Sequence, residues 1–94
     1  MIEINQYFDG AVKSMGFNTE AFPVSVGVME KGEYEFATGK AEVMRVICGL
    51  LTIKLAGQQE WQSYATGTFF HVPANSKFQV KARMTTAYLC EYHE

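Results

Sequence analysis

From Val24 onward the chain changes polarity at almost every residue, in runs too short for helices. Val24, Val26 and Val28 alternate with Ser25 and Gly27. Such a period of two sends successive side chains to opposite faces of a strand. Tyr34 and Phe36 alternate with Glu33 and Glu35, after a turn at Glu30-Lys31-Gly32. Val43 to Cys48 is β-rich and stops at Gly49. Leu51, Ile53 and Leu55 alternate up to Ala56-Gly57-Gln58-Gln59, and Trp61 to Tyr64 is a short run. Thr68 to Val72 ends at Pro73-Ala74-Asn75-Ser76. Phe78, Val80 and Ala82 follow, then Thr86, Tyr88, Cys90 and Tyr92. No stretch holds apolar spacing of three and four over a helix length. About eight or nine strands, spaced roughly 8–12 residues apart, predict an all-β sandwich or barrel. The links are too short for parallel crossovers, so the pairing is expected to be mainly antiparallel.

The 94 residues are 48% hydrophobic and 19% charged, which excludes disorder and predicts one domain over residues 1–94. A net charge of −2 lacks the basic excess of a nucleic-acid binder. No segment approaches the ~20 apolar residues of a membrane span. The start, Met1 to Gln6, has no basic and then apolar order of a secretory signal. Cys48 and Cys90 form no CxxC and sit in apolar alternation. Reduced core thiols are expected, in keeping with a cytoplasmic protein.

Two half-motifs narrow the architecture. Glu42 is followed by six residues and Gly49, and Gly67 by five residues and Pro73. In this order and separation they resemble the two motifs of cupins, which implies a jelly-roll barrel. The metal ligands of that fold are not in place. The His-x-His pair would fall near Glu35 to Thr38, and Phe78 occupies the region of the third histidine. The histidines present are His71, at a strand end, which also reads as a surface or pocket-rim residue, and His93, near the chain end, which also reads as a tail residue. A metal site built on His71, His93 and Glu42 is the less favoured reading.

A longer set of residues resembles one family more closely. Tyr7-Phe8-Asp9-Gly10, Ser25 to Met29, Gly32 to Phe36, Glu42-x-Met44-x-Val46-x-x-Gly49, Trp61-x-x-Tyr64, Phe70-x-Val72-Pro73-Ala74-Asn75-Ser76-x-Phe78 and Tyr88-x-Cys90 are similar to the small cupins of the pyrimidine/purine nucleoside phosphorylase family. The likeness runs from Tyr7 to Tyr92. It implies a homodimeric cytoplasmic cupin that reversibly converts many nucleosides plus phosphate to free base and ribose 1-phosphate, with no metal and no other cofactor. The alternative is a cupin that binds a small molecule without chemistry, as a sensor or carrier. A metal-dependent isomerase or oxygenase using His71 ranks third.

Phosphorolysis needs phosphate held, the ribose oriented, and a departing base accommodated by stacking. Glu42 stands where a cupin side chain points inward. It is expected either to hold the ribose diol and steady charge at C1′ or to rest on backbone donors. Thr38, four residues earlier, either donates to phosphate or ribose or stabilises its turn. Asn75 and Ser76, beyond Pro73, either reach the base or phosphate or cap their own turn. Phe36, Phe70, Phe78 and Tyr88 are stacking candidates, each also fit for the core. Arg45, at odd spacing from Glu42, should face away from it, toward solvent or a dimer contact. Lys77, Lys81 and Arg83 read as a solvated face, and Lys13 is a further cation. Ser25 and Gly27 mark a strand that a ligand or another backbone can approach closely. No phosphate clamp is assigned.

Overall fold

A computed structural model of the chain describes residues 1–94 and resolves the alternation into ten strands. These are β1 (Glu3–Tyr7), β2 (Val12–Asn18), β3 (Pro23–Met29), β4 (Gly32–Ala37), β5 (Ala41–Cys48), β6 (Leu50–Leu55), β7 (Gln62–Ala65), β8 (Phe69–Val72), β9 (Lys77–Ala82) and β10 (Thr86–His93). The count exceeds eight or nine because β1 and β2 precede Val24. No helix is long and apolar enough to cross a membrane.

Six strands form one sheet in the order β1-β2-β3-β10-β5-β8, and four form the other, β4-β9-β6-β7. All neighbours pair antiparallel. The two sheets face one another and bury Met29, Leu51, Ile53, Val46, Val72 and Val80 between them. Burying such side chains is worth about 1.5–3 kcal/mol each, which makes this layer the main source of stability.

The chain crosses between sheets at two paired loops. At one end Thr38 and Gly39 bond Ser76 and Asn75 through Thr38 N–H to Ser76 O at 2.8 Å and Asn75 N–H to Gly39 O at 3.1 Å. At the other, Gly49 N–H donates to Thr66 Oγ1 at 2.9 Å, and Gly67 N–H donates to the carbonyl of Val46 in β5 at 2.8 Å. Gly67 has φ +88°, a left-handed turn that favours glycine. This explains why the two glycine-bearing half-motifs lie where the sheets meet.

Strands β1 and β2 invert the usual polarity. Beyond the inward pair of Tyr7 and Val12, where Val12 is fully buried, their inward positions carry Glu3, Asn5, Ser14 and Gly16, while Ile4, Met15 and Phe17 point outward and are exposed. Sequence patterning reads apolar as inward, so these strands carry no clear signal. Six strands facing four leave the inner surface of β1 without a covering layer, and Glu3 and Tyr7 remain exposed.

A second departure concerns Cys48. The register of β10 on β5 pairs Ala87 with Cys48 and Tyr88 with Val46, which leaves Ile47 as an extra residue. Such a bulge breaks the alternation, and Cys48 emerges exposed while Cys90 is buried. The expectation of two core thiols therefore holds for Cys90 alone.

Gly27 sits where the Tyr88 side chain crosses β3. A Cβ there would lie 2.5 Å from Tyr88 Oη and 2.9 Å from the Lys13 carbonyl oxygen. Gly27→Ala is expected to destabilise the fold by about 1–3 kcal/mol through overpacking, read as a lower urea midpoint with an unchanged slope.

Candidate active site

The cavity between the sheets has a volume of about 300 Å³, within the range of small-molecule sites. Its floor is the inward face of the six-stranded sheet. Ser14 comes from β2, Ser25 from β3, Tyr88, Cys90 and Tyr92 from β10, and Glu42 from β5. Phe36 on β4 and Phe78 on β9 form the opposite wall, their rings 5.7 Å apart and inclined by 29°. Lys40, in the turn before β5, stands at the edge of the cavity and pairs with the exposed Glu94 at 3.3 Å.

Glu42 is the one carboxylate lining this space. Strand alternation puts it on the same side as Met44, opposite Tyr92 on β10. The Cys90 thiol donates to Glu42 Oε1 at 3.2 Å, and no protein group donates to Oε2. Burial raises the Glu42 carboxyl above the ordinary glutamate range, while the Cys90 hydrogen bond acts the other way. Burial and the Glu42 charge push the Cys90 thiol up, so it stays protonated as a donor. Tyr88 and Tyr92 are raised too, chiefly by burial. Tyr92 Oη and Ser25 Oγ share a hydrogen bond of 2.9 Å. The Tyr88 hydroxyl has no protein partner and is available to a ligand.

Four candidates from the sequence lie in the cavity wall: Glu42, Phe36, Phe78 and Tyr88. Four others do not. Phe70 is buried in the core against Tyr64, with ring centroids 4.7 Å apart. The Thr38 hydroxyl donates to the Pro73 carbonyl at 2.7 Å and accepts from Ser76 N–H at 3.0 Å. It thereby ties together the loops that launch β5 and β9. Asn75, at φ +52°, and Ser76 border a separate shallow depression beside that tie. Thr38 thus bears on the cavity indirectly, by fixing the turn that carries Lys40 and Glu42.

Arg45 faces outward as its spacing predicts, donating to Glu91 at 2.7 Å and lying 4.9 Å from the Phe69 ring centroid. The Arg45 bond holds the Glu91 carboxyl below the ordinary range. His71 is exposed on β8 with its ring near Phe69, and His93 bonds Glu91 at 3.1 Å. Neither histidine lines the cavity. No group of three His, Cys, Asp or Glu side chains converges anywhere in the fold, which removes the three-residue set of His71, His93 and Glu42.

Lys40 was not singled out by sequence. It lies in the turn before β5, where strand alternation gives no signal. Cys90 carried a signal in its even spacing from Tyr88 and Tyr92, which puts the three on one strand face.

Three comparisons bear on this arrangement. The profile of a family described as pyrimidine/purine nucleoside phosphorylase matches residues 2–92. A Pseudomonas aeruginosa protein named pyrimidine/purine nucleoside phosphorylase is 58% identical over 92 residues, covering 98% of this chain and 99% of the relative. The crystal structure of a Vibrio parahaemolyticus protein of unknown function is similar with TM-score 0.96 at 47% identity, over 99% of both chains. An RmlC-like cupin from Shewanella frigidimarina shares the fold, with TM-score 0.75 at 21% identity over 98% of this chain and 83% of its own. The architecture is thus a cupin-type jelly roll.

The raised Glu42 carboxyl has a stability consequence. Between the ordinary glutamate value and its own higher one, the folded chain keeps a proton that the unfolded chain has lost. Stability therefore falls as pH rises through that window. Glu42→Gln is expected to raise the melting temperature at neutral pH, with the difference closing at about pH 4. Thermal unfolding at several pH values checks this.

Proposed function

The chain belongs to the pyrimidine/purine nucleoside phosphorylase family, and on that footing we propose that it cleaves nucleosides with inorganic phosphate, releasing free base and ribose 1-phosphate. The observation that carries the reading is Glu42: a half-buried carboxylate with one unpartnered oxygen, in a cavity whose lining also includes Phe36, Phe78 and Lys40.

In this scheme a phosphate oxygen attacks C1′ as the bond from C1′ to the base nitrogen breaks. The base departs with the bonding electrons and takes up a proton. Positive charge gathers at C1′ on the way, as in glycoside cleavage. Glu42 Oε2 accepts from the ribose hydroxyls, and its charge steadies the developing cation. Lys40 holds phosphate at the mouth in place of Glu94. Phe36 and Phe78 stack the base. The Tyr88 hydroxyl and the Ser14 and Ser25 hydroxyls supply further hydrogen bonds. Thr38, Asn75 and Ser76 keep the Lys40 turn in place from outside, and Phe70 backs Phe78 from the core, their rings 6.4 Å apart.

Broad specificity follows from the kind of polar groups present. The cavity has five hydroxyls, from Tyr7, Ser14, Ser25, Tyr88 and Tyr92, and no amide side chain. A hydroxyl donates or accepts as the partner demands, so neither purine nor pyrimidine edges are penalised by an unpaired group. The same contacts serve both directions of the reaction. The scheme uses no metal or other cofactor. Two free thiols, one of them exposed, suit a reducing cytoplasm.

The outward face of the six-stranded sheet also supports a homodimer. Pairing places Ile4, Met15, Val26, Leu89, Arg45 and Phe69 in one row across all six strands. Apolar rows of this kind mark contact surfaces, and a second copy would cover it. Sedimentation velocity is expected to show twice the chain mass, and Met15→Glu to shift the population toward single chains. A wild-type protein that sediments as one chain would rule the dimer out.

Purified protein is expected to release base from uridine and adenosine only when phosphate is present, and equally well after EDTA treatment. Glu42→Gln should lower kcat about 10²–10³-fold, the scale of losing one preorganised electrostatic contact. Lys40→Met should raise the KM for phosphate about tenfold with a smaller change for nucleoside. Base release at the same rate without phosphate would overturn the assignment. Nucleosides that raise the melting temperature without turnover would favour the binding cupin instead.

A further inference from the structure

We infer that Cys90 is a positioning residue for Glu42, a thiol whose hydrogen bond keeps one carboxylate oxygen engaged and the other aimed into the cavity. The inference rests on the reading of Glu42 as the working carboxylate.

Cys90 and Glu42 sit on neighbouring strands, with Cys90 opposite Met44 and Tyr92 opposite Glu42. The thiol therefore approaches the carboxylate on the diagonal, and Sγ lies 3.2 Å from Oε1. Cys90 is 3% exposed, which holds the thiol in place, and it is the one protein donor to that oxygen. The remaining titratable groups of the cavity are Tyr7 from β1, Tyr88 and Tyr92 from β10 and Lys40 from the turn before β5. From β8 the residue opposite Glu42 is Val72, and from β4 and β9 the facing residues are Phe36 and Phe78. None of these side chains bonds Glu42; its one hydrogen bond from the protein is from the thiol.

A carboxylate in such surroundings faces two problems. Burial favours its neutral form, and a single flexible side chain can turn away from the substrate. A protonated thiol answers both. It stabilises the ionised form by donating to it, and it fixes the rotamer through Oε1 while Oε2 stays free. Being a weak donor, the thiol leaves most of the negative charge available. The apolar body of cysteine also completes the core beside Met44 and Phe70, which serine would do less well.

Cys90→Ala and Cys90→Ser separate this role from packing. Two readouts are needed: the pH dependence of kcat/KM for uridine phosphorolysis, and the titration of the Glu42 carboxyl by ¹³C NMR in substrate-free protein, identified with Glu42→Gln. For Cys90→Ala the acid limb should move to higher pH. Activity on the acid limb should fall about threefold, the weight of one weak hydrogen bond, with the gap narrowing on the alkaline side. The Glu42 carboxyl should titrate higher in parallel. Cys90→Ser should restore both, whatever it does to the melting temperature. Loss of activity at every pH with an unchanged Glu42 titration would mark a purely structural residue and overturn the inference. Superimposable profiles for Cys90→Ala and wild type would do the same. Were the wild type to show no phosphorolysis while Cys90→Ala still moved the Glu42 titration, the coupling would stand and the nucleoside reading would fall.

Discussion

Unequal sheets organise this molecule. Six strands face four, so the packed layer of Leu51, Ile53, Val46 and Val80 cannot extend across the whole wider sheet. Where cover ends, the inner surface changes from aliphatic to polar. Ser14, Ser25 and Glu42 lie on the same concave face as Val46 and Val72, one strand or a few residues away. A hydrophobic core and a polar cavity are thus two regions of one surface. The core fixes the strands, and the strands hold the cavity's side chains without any helix to support them.

Polar groups placed there lower stability, and the structure limits the loss locally. The buried Ser25 is answered by Tyr92, and Thr38 by Pro73 and Ser76. Thr52 pairs with Ser63 and Thr86 with Leu50 and Met84. No buried side-chain nitrogen or oxygen lacks a partner. What remains unsatisfied among the buried and half-buried groups opens into the cavity: Glu42 Oε2 and the hydroxyls of Tyr88 and Ser14. Incomplete hydrogen bonding in an otherwise complete network is the mark of a surface shaped for a ligand.

The alternation from Val24 to Tyr92 was enough to read an all-β fold, because most of those strands put apolar residues inward. It failed for β1 and β2, where Ile4 and Met15 face out and Asn5 and Ser14 face in, so that the polarity rule points the wrong way. Glu42 was legible through its spacing to Gly49, and Arg45's outward direction through its odd offset. The loops were less legible. Thr38, Asn75 and Ser76 gather at one crossover, but only the folded chain reveals that the Thr38 hydroxyl is held by Pro73 and Ser76 backbone. Lys40 carried no motif, since a single lysine in a turn resembles any solvated cation. Cys90 was hidden by its own chemistry: cysteine in an apolar run reads as core, and here it is core and hydrogen-bond donor together.

Strand β10 has a double allegiance. Its even-numbered residues Tyr88, Cys90 and Tyr92 form the cavity floor, and between them Leu89 belongs to the outward apolar row while Glu91 holds Arg45. The two inventories are separated by the thickness of one backbone. A slip of β10 by a single position would exchange them, sending Leu89 and Glu91 inside and the tyrosines out. Whatever presses on the convex side therefore shares a wall with the cavity, and the ion pair of Arg45 with Glu91 lies on the outer side of that wall.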